Sequence, residues 1–243
     1  MRKIEVCCIS ANDVLEARKG GAIRVELCTA ISSGGVTPSI GLVRSAVKAA
    51  DGGLLVNVLI RPREGGFCYD ESEIRTMLED IQACRSAGAD GVVIGALTPD
   101  GDIDMEACRR MMDAASGMNV TFHRAFDVCR EPEKALEQII ELGCDHLLTS
   151  GQRPSALEGS ALIADLVRQA AGRITIMPGS GVNPGNIAEI ESLTSASEFH
   201  STARDLVPDS SLRHVPELGF DEVSKVPGMV LRTSSEVVRS LVD

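Results

Sequence analysis

The sequence predicts one α/β domain over residues 1–243, a (β/α)8 barrel with an irregular segment after its eighth strand. Three observations predict it. Eight short β-rich runs alternate with helical patterns, each transition marked by Gly, Pro, Ser or Asn. No composition shift or linker divides the 243 residues, a length that a single barrel fills. Aromatic residues are scarce, with five Phe, one Tyr and no Trp, so the core must be Val, Ile, Leu, Ala and Met, which suits helices packed closely on a sheet. Alternation of strand and helix implies parallel strands joined by right-handed crossovers, and eight strands with no long reversal favour closure over an open, doubly wound sheet.

The expected strands run over 4–8, 24–28, 54–60, 91–94, 119–123, 146–149, 174–177 and 198–200. The expected helices run over 12–19, 39–50, 70–87, 104–115, 131–142, 156–171 and 183–194, with Asn12, Ser39, Asp70 and Ser155 as caps or first-turn residues. Three helices end in similar phrases, at Gly20-Gly21-Ala22, Gly88-Ala89-Asp90 and Gly143-Cys144-Asp145, where a glycine supplies a left-handed cap just before the next strand. Residues 201–233 carry Pro208, Pro216 and Pro227 and read as one long loop, before a closing helix over 234–242.

Composition also excludes functions. A net charge of −11 with no basic run longer than two residues leaves no electrostatic footprint for nucleic acid. No run of eighteen apolar residues suggests a membrane span, and the first sixteen residues lack the pattern of a signal or transit peptide. A cytoplasmic protein is expected. Its eight cysteines, none in a C-x-x-C pair, then read as reduced thiols, mostly small core residues.

The chemistry should lie where strands end. The run 120–127, VTFHRAFD, is an apolar strand that stops at His123 and Arg124, with Asp127 beyond. Residues two apart share a face of a strand, so Glu5 aligns with Cys7, Glu26 with Cys28, Asn57 with Leu59 and Arg61, Thr121 with His123, and Glu198 with His200. Unpaired charges inside a barrel cost several kcal/mol each. Glu5, Glu26, Arg61, His123 and His200 should therefore meet one another or a ligand. With Arg124 they are the candidate catalytic residues. Arg63 and Glu64 read equally well as rim residues or solvated ones, and His146 and His214 as structural or surface residues.

The loop 178–186, PGSGVNPGN, follows the seventh strand, where barrels often place a phosphate site; Gly179, Ser180, Gly181 and Asn183, joined by Ser201 and Thr202 after the eighth strand, are the candidate anion site. Tight turning alone would also require such glycines. Neighbouring strands lie about 4.8 Å apart, so Cys7 and Cys28 could face one space and hold Cu(I) as soft thiolates, or could be inert packing. Cys8, on the opposite face, should pack under a helix.

The residues VELC (25–28), GGVTPS (34–39), IRPR (60–63), ADGVVIG (89–95), VTFHRAFD (120–127), LLTSG (147–151), GSGVN (179–183) and EFHSTAR (198–204) together closely resemble the CutC family of copper homeostasis proteins, over nearly all of the first 205 residues. The resemblance implies a TIM barrel, a cytoplasmic location, a homodimer or higher homo-oligomer, and a role in copper handling. It places Cys7 and Cys28 at positions proposed in the family as copper ligands. Two functions are therefore expected. One is Cu(I) binding at Cys7 and Cys28. The other is an enzyme of lyase, aldolase or epimerase type acting on a small phosphorylated or carboxylated metabolite, with a divalent metal on Glu and His as a variant.

Overall fold

Alternation of buried β-branched residues with interior polar ones dictates the sheet. The structure, a computed structural model, describes residues 1–218 and 225–243. Strands β1 (Lys3–Cys8), β2 (Arg24–Leu27), β3 (Leu55–Leu59), β4 (Gly91–Ile94), β5 (Asn119–Phe122), β6 (His146–Thr149), β7 (Thr175–Pro178) and β8 (Glu198–Ser201) form one parallel sheet in the order β7-β6-β5-β4-β3-β2-β1-β8. β7 and β8 abut without a ladder among the described residues, so this TIM barrel is nearly closed. Helices α1 (Ala11–Gly20), α2 (Ile40–Ala50), α3 (Glu71–Ser86), α4 (Met105–Ala114), α5 (Pro132–Leu142), α6 (Ser160–Ala170) and α7 (Ile187–Thr194) follow strands one to seven in turn.

The outward side chains Ile4, Val6 and Cys8 of β1, Val25 and Leu27 of β2, and Val56 and Val58 of β3 are buried beneath the helices. Each such side chain contributes about 1.5–3 kcal/mol when removed from water. The alternate residues point inward and are largely polar, which leaves the barrel interior available for chemistry.

The helix starts correct several expectations. Ser10, not Asn12, caps α1 by accepting from Asp13 N–H, and Asn12 lies in the first turn. Ser39 and Asp70 cap as expected, Asp70 through a reciprocal box with Glu73. α6 starts at Ser160 rather than 156, because Ser155 instead closes a separate turn with Glu158. α7 starts at Ile187 rather than 183, because Asn186 Oδ1 accepts from Asn183 N–H, Asn183 Oδ1 accepts from Gly185 N–H, and both side-chain amides donate to Gly181 O. Gly21 and Gly143 do supply left-handed caps, at φ of 92° and 85°.

The segment 201–233 is not one long loop. Strands β9 (Arg204–Pro208) and β10 (Met229–Thr233) pair antiparallel, with Leu206 opposite Leu231. The prolines misled because Pro208 sits at the end of a strand in a two-stranded hairpin, where a missing N–H costs little, and Pro216 and Pro227 fall between the strands. The part of that expectation over 219–224 lies outside the described residues. Asp13, buried on α1, pins the hairpin by accepting from Thr233 N–H at 3.3 Å while also accepting from Ile9 N–H at 3.1 Å. Helix α8 (Ser235–Val242) then closes the chain against α1 and β1, with Arg2 N–H donating to Val242 O at 2.8 Å.

Candidate functional site

Inward positions on β1, β2 and β8 bring the buried charges into one chain of contacts. Glu198 Oε2 accepts from Arg24 Nη2 at 2.9 Å, Arg24 Nε donates to Glu5 Oε2 at 2.5 Å, and Glu5 Oε1 meets His200 Nδ1 at 2.7 Å. His200 Nε2 lies 3.3 Å from Glu26 Oε2. His146 Nε2 joins the lower end, 3.3 Å from Glu198, so this histidine is structural, as expected. Glu5 is 1% exposed, and only charged partners make that tolerable.

The chain sets its own protonation states. Burial pushes Glu5 up, but the hydrogen bond to His200 and the charges of Arg24 and His200 outweigh it and hold the carboxyl at about 2. Burial likewise pushes Glu198 up, and its hydrogen bonds with His146 and Arg24 bring it down to about 2. For His200, burial works downward, yet hydrogen bonds with Cys7 and Glu5 and the charges of Glu26 and Glu5 carry it well above its ordinary value. His200 is therefore an imidazolium at neutral pH, able to donate from both ring nitrogens. Glu26 keeps the burial penalty and titrates at about 7, the pull of His200 being opposed by Glu5.

Above this chain, Cys7 and Cys28 converge. Their Sγ atoms lie 3.5 Å apart, and neither is in a disulfide. The hydrogen bond with Cys28 and burial push the Cys7 thiol well above its ordinary value, so it is protonated when no ion is bound. Cys7 Sγ and single ligand atoms of Glu26 and His200 all lie within 4.8 Å of one another.

The opposite wall is built by β3 and β5. Arg61, 5% exposed, donates from Nη1 to Ser33 O and Gly35 O, at 2.9 and 2.6 Å, and from Nη2 to Gly65 O, at 2.6 Å. It lies 5.1 Å over the Phe67 ring and forms no ion pair among the described residues; its Nε is buried without a protein partner. His123 Nδ1 accepts from Ala125 N–H at 3.1 Å, which leaves the proton of a neutral ring on Nε2. Burial and the nearby Arg61 charge hold His123 at about 3, so it is neutral, and its Nε2 is also buried without a partner. Gly95 makes room for this ring, since a Cβ there would lie 2.6 Å from it.

At the rim, the expected anion residues divide. Gly179 N–H donates to Thr149 O at 2.9 Å, Asn183 N–H to Asn186 Oδ1 at 2.9 Å, and Ser201 Oγ to Val182 O at 2.7 Å. All three brace the loops and have none of these donors to offer an anion. Ser180 Oγ is likewise tied to Pro154 O at 2.8 Å. The backbone N–H groups of Ser180, Gly181, Val182 and Thr202 have no acceptor among the described residues. Arg124 reaches the rim but is held by Asp127 at 2.7 Å and Ser150 at 2.9 Å. Asp127 also accepts from Thr149 Oγ1 at 2.6 Å and from Ser150 N–H at 3.0 Å, which fixes the start of the loop after β6. Arg63 pairs with Glu73, away from the cavity.

One cavity of about 460 Å³ unites these parts. It is lined by Cys7, Cys28, Glu26 and His200 on its floor, Arg61, Phe67 and His123 on one wall, and Ser180, Gly181, Val182, Asn183, Ser201 and Thr202 opposite, with Arg124 and the apolar Leu59 and Leu148 between. Glu5 lies beneath it, in contact with His200. Every one of these groups stands at the carboxyl end of a strand, where barrel sites lie.

A family model described as the CutC family matches residues 2–205. The chain belongs to the CutC family. It is 54% identical over 206 residues to a family protein CutC of Parabacteroides distasonis, covering 85% of this chain and 84% of that protein. It is 45% identical over 244 residues to a CutC protein of Chromobacterium violaceum, covering 98% and 96%. It is also similar to the crystal structure of the Streptococcus agalactiae CutC, for which a role in copper homeostasis has been proposed, at 35% identity with a TM-score of 0.80 over 83% of this chain and 99% of that one. The cavity falls within the matched CutC region, whereas most of the hairpin and all of α8 lie beyond it.

The reading of the sequence passed over Arg24, Phe67 and Val182 as site residues, while Thr202, expected beside Ser201, does line the cavity. Arg24 was within reach, since it stands two residues before Glu26 and so on the same face. Phe67 and Val182 lie on loops, where no periodicity reports direction. Among the described residues no helix is long and apolar enough to cross a membrane.

Proposed function

We propose that this protein binds Cu(I) between Cys7 and Cys28. The observation that carries the reading is the 3.5 Å approach of two free thiols on the floor of an open cavity. Thiolate sulfur is the donor that selects Cu(I). Copper is here the cargo, and loading it displaces the Cys7 proton, so affinity rises with pH. Eight free cysteines support a reducing, cytoplasmic setting. Exposed Leu206, Val207 and Val226 in the C-terminal segment support a homo-oligomer, whose mass sedimentation velocity would measure.

An anaerobic competition titration against a strong Cu(I) chelator tests the copper reading. Wild type and a Cys84→Ser control should bind one equivalent, and Cys7→Ser/Cys28→Ser should lose at least 100-fold in affinity. Equal binding by wild type and the double variant would end the proposal.

A second reading has its own support. Buried Arg61 has no carboxylate partner among the described residues, and a copper ion supplies none. We infer a small anionic metabolite in the same cavity, handled by chemistry of the lyase, aldolase or epimerase type. Glu26 and His200 are the acid-base pair in this reading, or hold a divalent ion. A thermal-shift screen of small phosphates and carboxylates should raise the wild-type Tm with at least one compound; a flat response across the screen would remove this reading.

A further inference from the structure

We infer that the cavity takes a phosphomonoester carrying a second acceptor oxygen, its phosphate on the backbone N–H groups of Ser180, Gly181, Val182 and Thr202 and that oxygen on Arg61 and His123. The inference rests on the metabolite reading and assigns the class of ligand and its direction in the site.

The two ends offer different numbers of donors. Ser180 and Gly181 both take left-handed φ, 76° and 75°, a curl that takes successive N–H groups out of the sheet ladder. With Val182 and Thr202 they give four backbone donors without acceptors among the described residues, all on residues that line one side of the cavity. Backbone N–H groups gathered in this way suit an anion. A phosphate spreads its charge over three terminal oxygens that point in three directions, which suits four donors drawn from two separate loops, whereas the two oxygens of a carboxylate accept mainly in one plane.

The other end is narrower. Three loop carbonyls take up both N–H bonds of Arg61 Nη1 and one of Nη2, and Nε is buried without a partner among the described residues. His123 adds Nε2–H, since its Nδ1 is already an acceptor. Side-chain donors around one buried positive charge suit a carbonyl or carboxylate oxygen, and three of the five Arg61 N–H bonds are already spent on loop carbonyls. Arg61 and His123 are each at least nine-tenths buried, and both line the cavity. In the strand order, β3 and β5 lie across the barrel from β7 and β8, so the ligand would span the mouth. A volume of about 460 Å³ is in the range of small-molecule sites, which run from about 300 to 1,000 Å³.

Isothermal titration with inorganic phosphate, 2-phosphoglycolate and malonate tests the inference. Wild type should bind 2-phosphoglycolate at least tenfold more tightly than phosphate. Thr202 is exposed, so Thr202→Glu should fold, checked by its Tm, and its added carboxylate should weaken both phosphorylated probes at least tenfold. Thr202→Gln should bind as wild type does. His123→Phe should bind phosphate normally and lose the advantage of 2-phosphoglycolate; should that variant not fold, the Thr202 pair still decides the phosphate end. Unchanged phosphate binding by Thr202→Glu overturns the assignment. Malonate binding without phosphate binding overturns the phosphate end while the metabolite reading stands, and no binding by any probe overturns both.

Discussion

Glu5→Ala should lower the unfolding free energy by about 3–5 kcal/mol, the scale for removing one partner from a buried charge pair. Glu5 is the middle of the chain that runs from Glu198 to Glu26, and it alone touches both Arg24 and His200. Without it, Arg24 keeps Glu198, but His200 loses the acceptor at Nδ1 and a neighbouring negative charge. Urea unfolding at neutral pH measures the change through the midpoint at constant m. Acid should erase the difference. The folded-state value of about 2 lies below the ordinary 4.5, so the contribution is present above pH 4.5 and is lost as pH falls toward 2. A loss under about 1 kcal/mol at pH 7 would show that the network does not hold the barrel floor.

Glu26→Gln should do the reverse and stabilise the protein, only at higher pH. A carboxyl raised from 4.5 to about 7 keeps its proton more tightly in the folded state than in the unfolded one. Its contribution is therefore complete below pH 4.5 and lost as pH rises through 7, a difference of about 3 kcal/mol. Gln cannot ionise and should avoid that loss. The effect must be read as variant minus wild type. His123, held at about 3 against an ordinary 6.5, gains stability for the wild type as pH rises over that window and masks the Glu26 slope in any single curve. The difference between the two unfolding free energies should grow from pH 4.5 to 8. A difference constant with pH would mean that Glu26 is not buried against an unrelieved penalty.

Much of this protein is determined locally. Short β-rich runs between turn residues marked all eight barrel strands, and the two-residue repeat of a strand placed Glu5, Cys7, Glu26, Cys28, Arg61, His123 and His200 on inward faces, because a strand's side chains alternate whatever lies around them. Seven helices were legible for a similar reason, and their errors are confined to starts such as those of α6 and α7, where asparagine and serine side chains bind a loop instead of opening a helix. The C-terminal hairpin was not legible, since its proline-rich composition gives no sign of which partner strand excludes solvent. Motif resemblance named the family, and the family match and relatives agree.

Only the tertiary structure decided what the inward residues do to one another. Strand adjacency, with β1 between β2 and β8, brings Cys7 to Cys28 and Glu5 to both Arg24 and His200, from positions as far as 195 residues apart in the chain. It also decided which donors are free. Asn183 and Ser201 carry the right atoms for an anion yet bind their own loops, while Thr202 offers a backbone N–H that every residue but proline carries. Sequence fixes the direction of a side chain through the pleat of its own strand, but hydrogen-bond saturation and proton affinity depend on distances across strands and loops, which closure of the barrel alone sets.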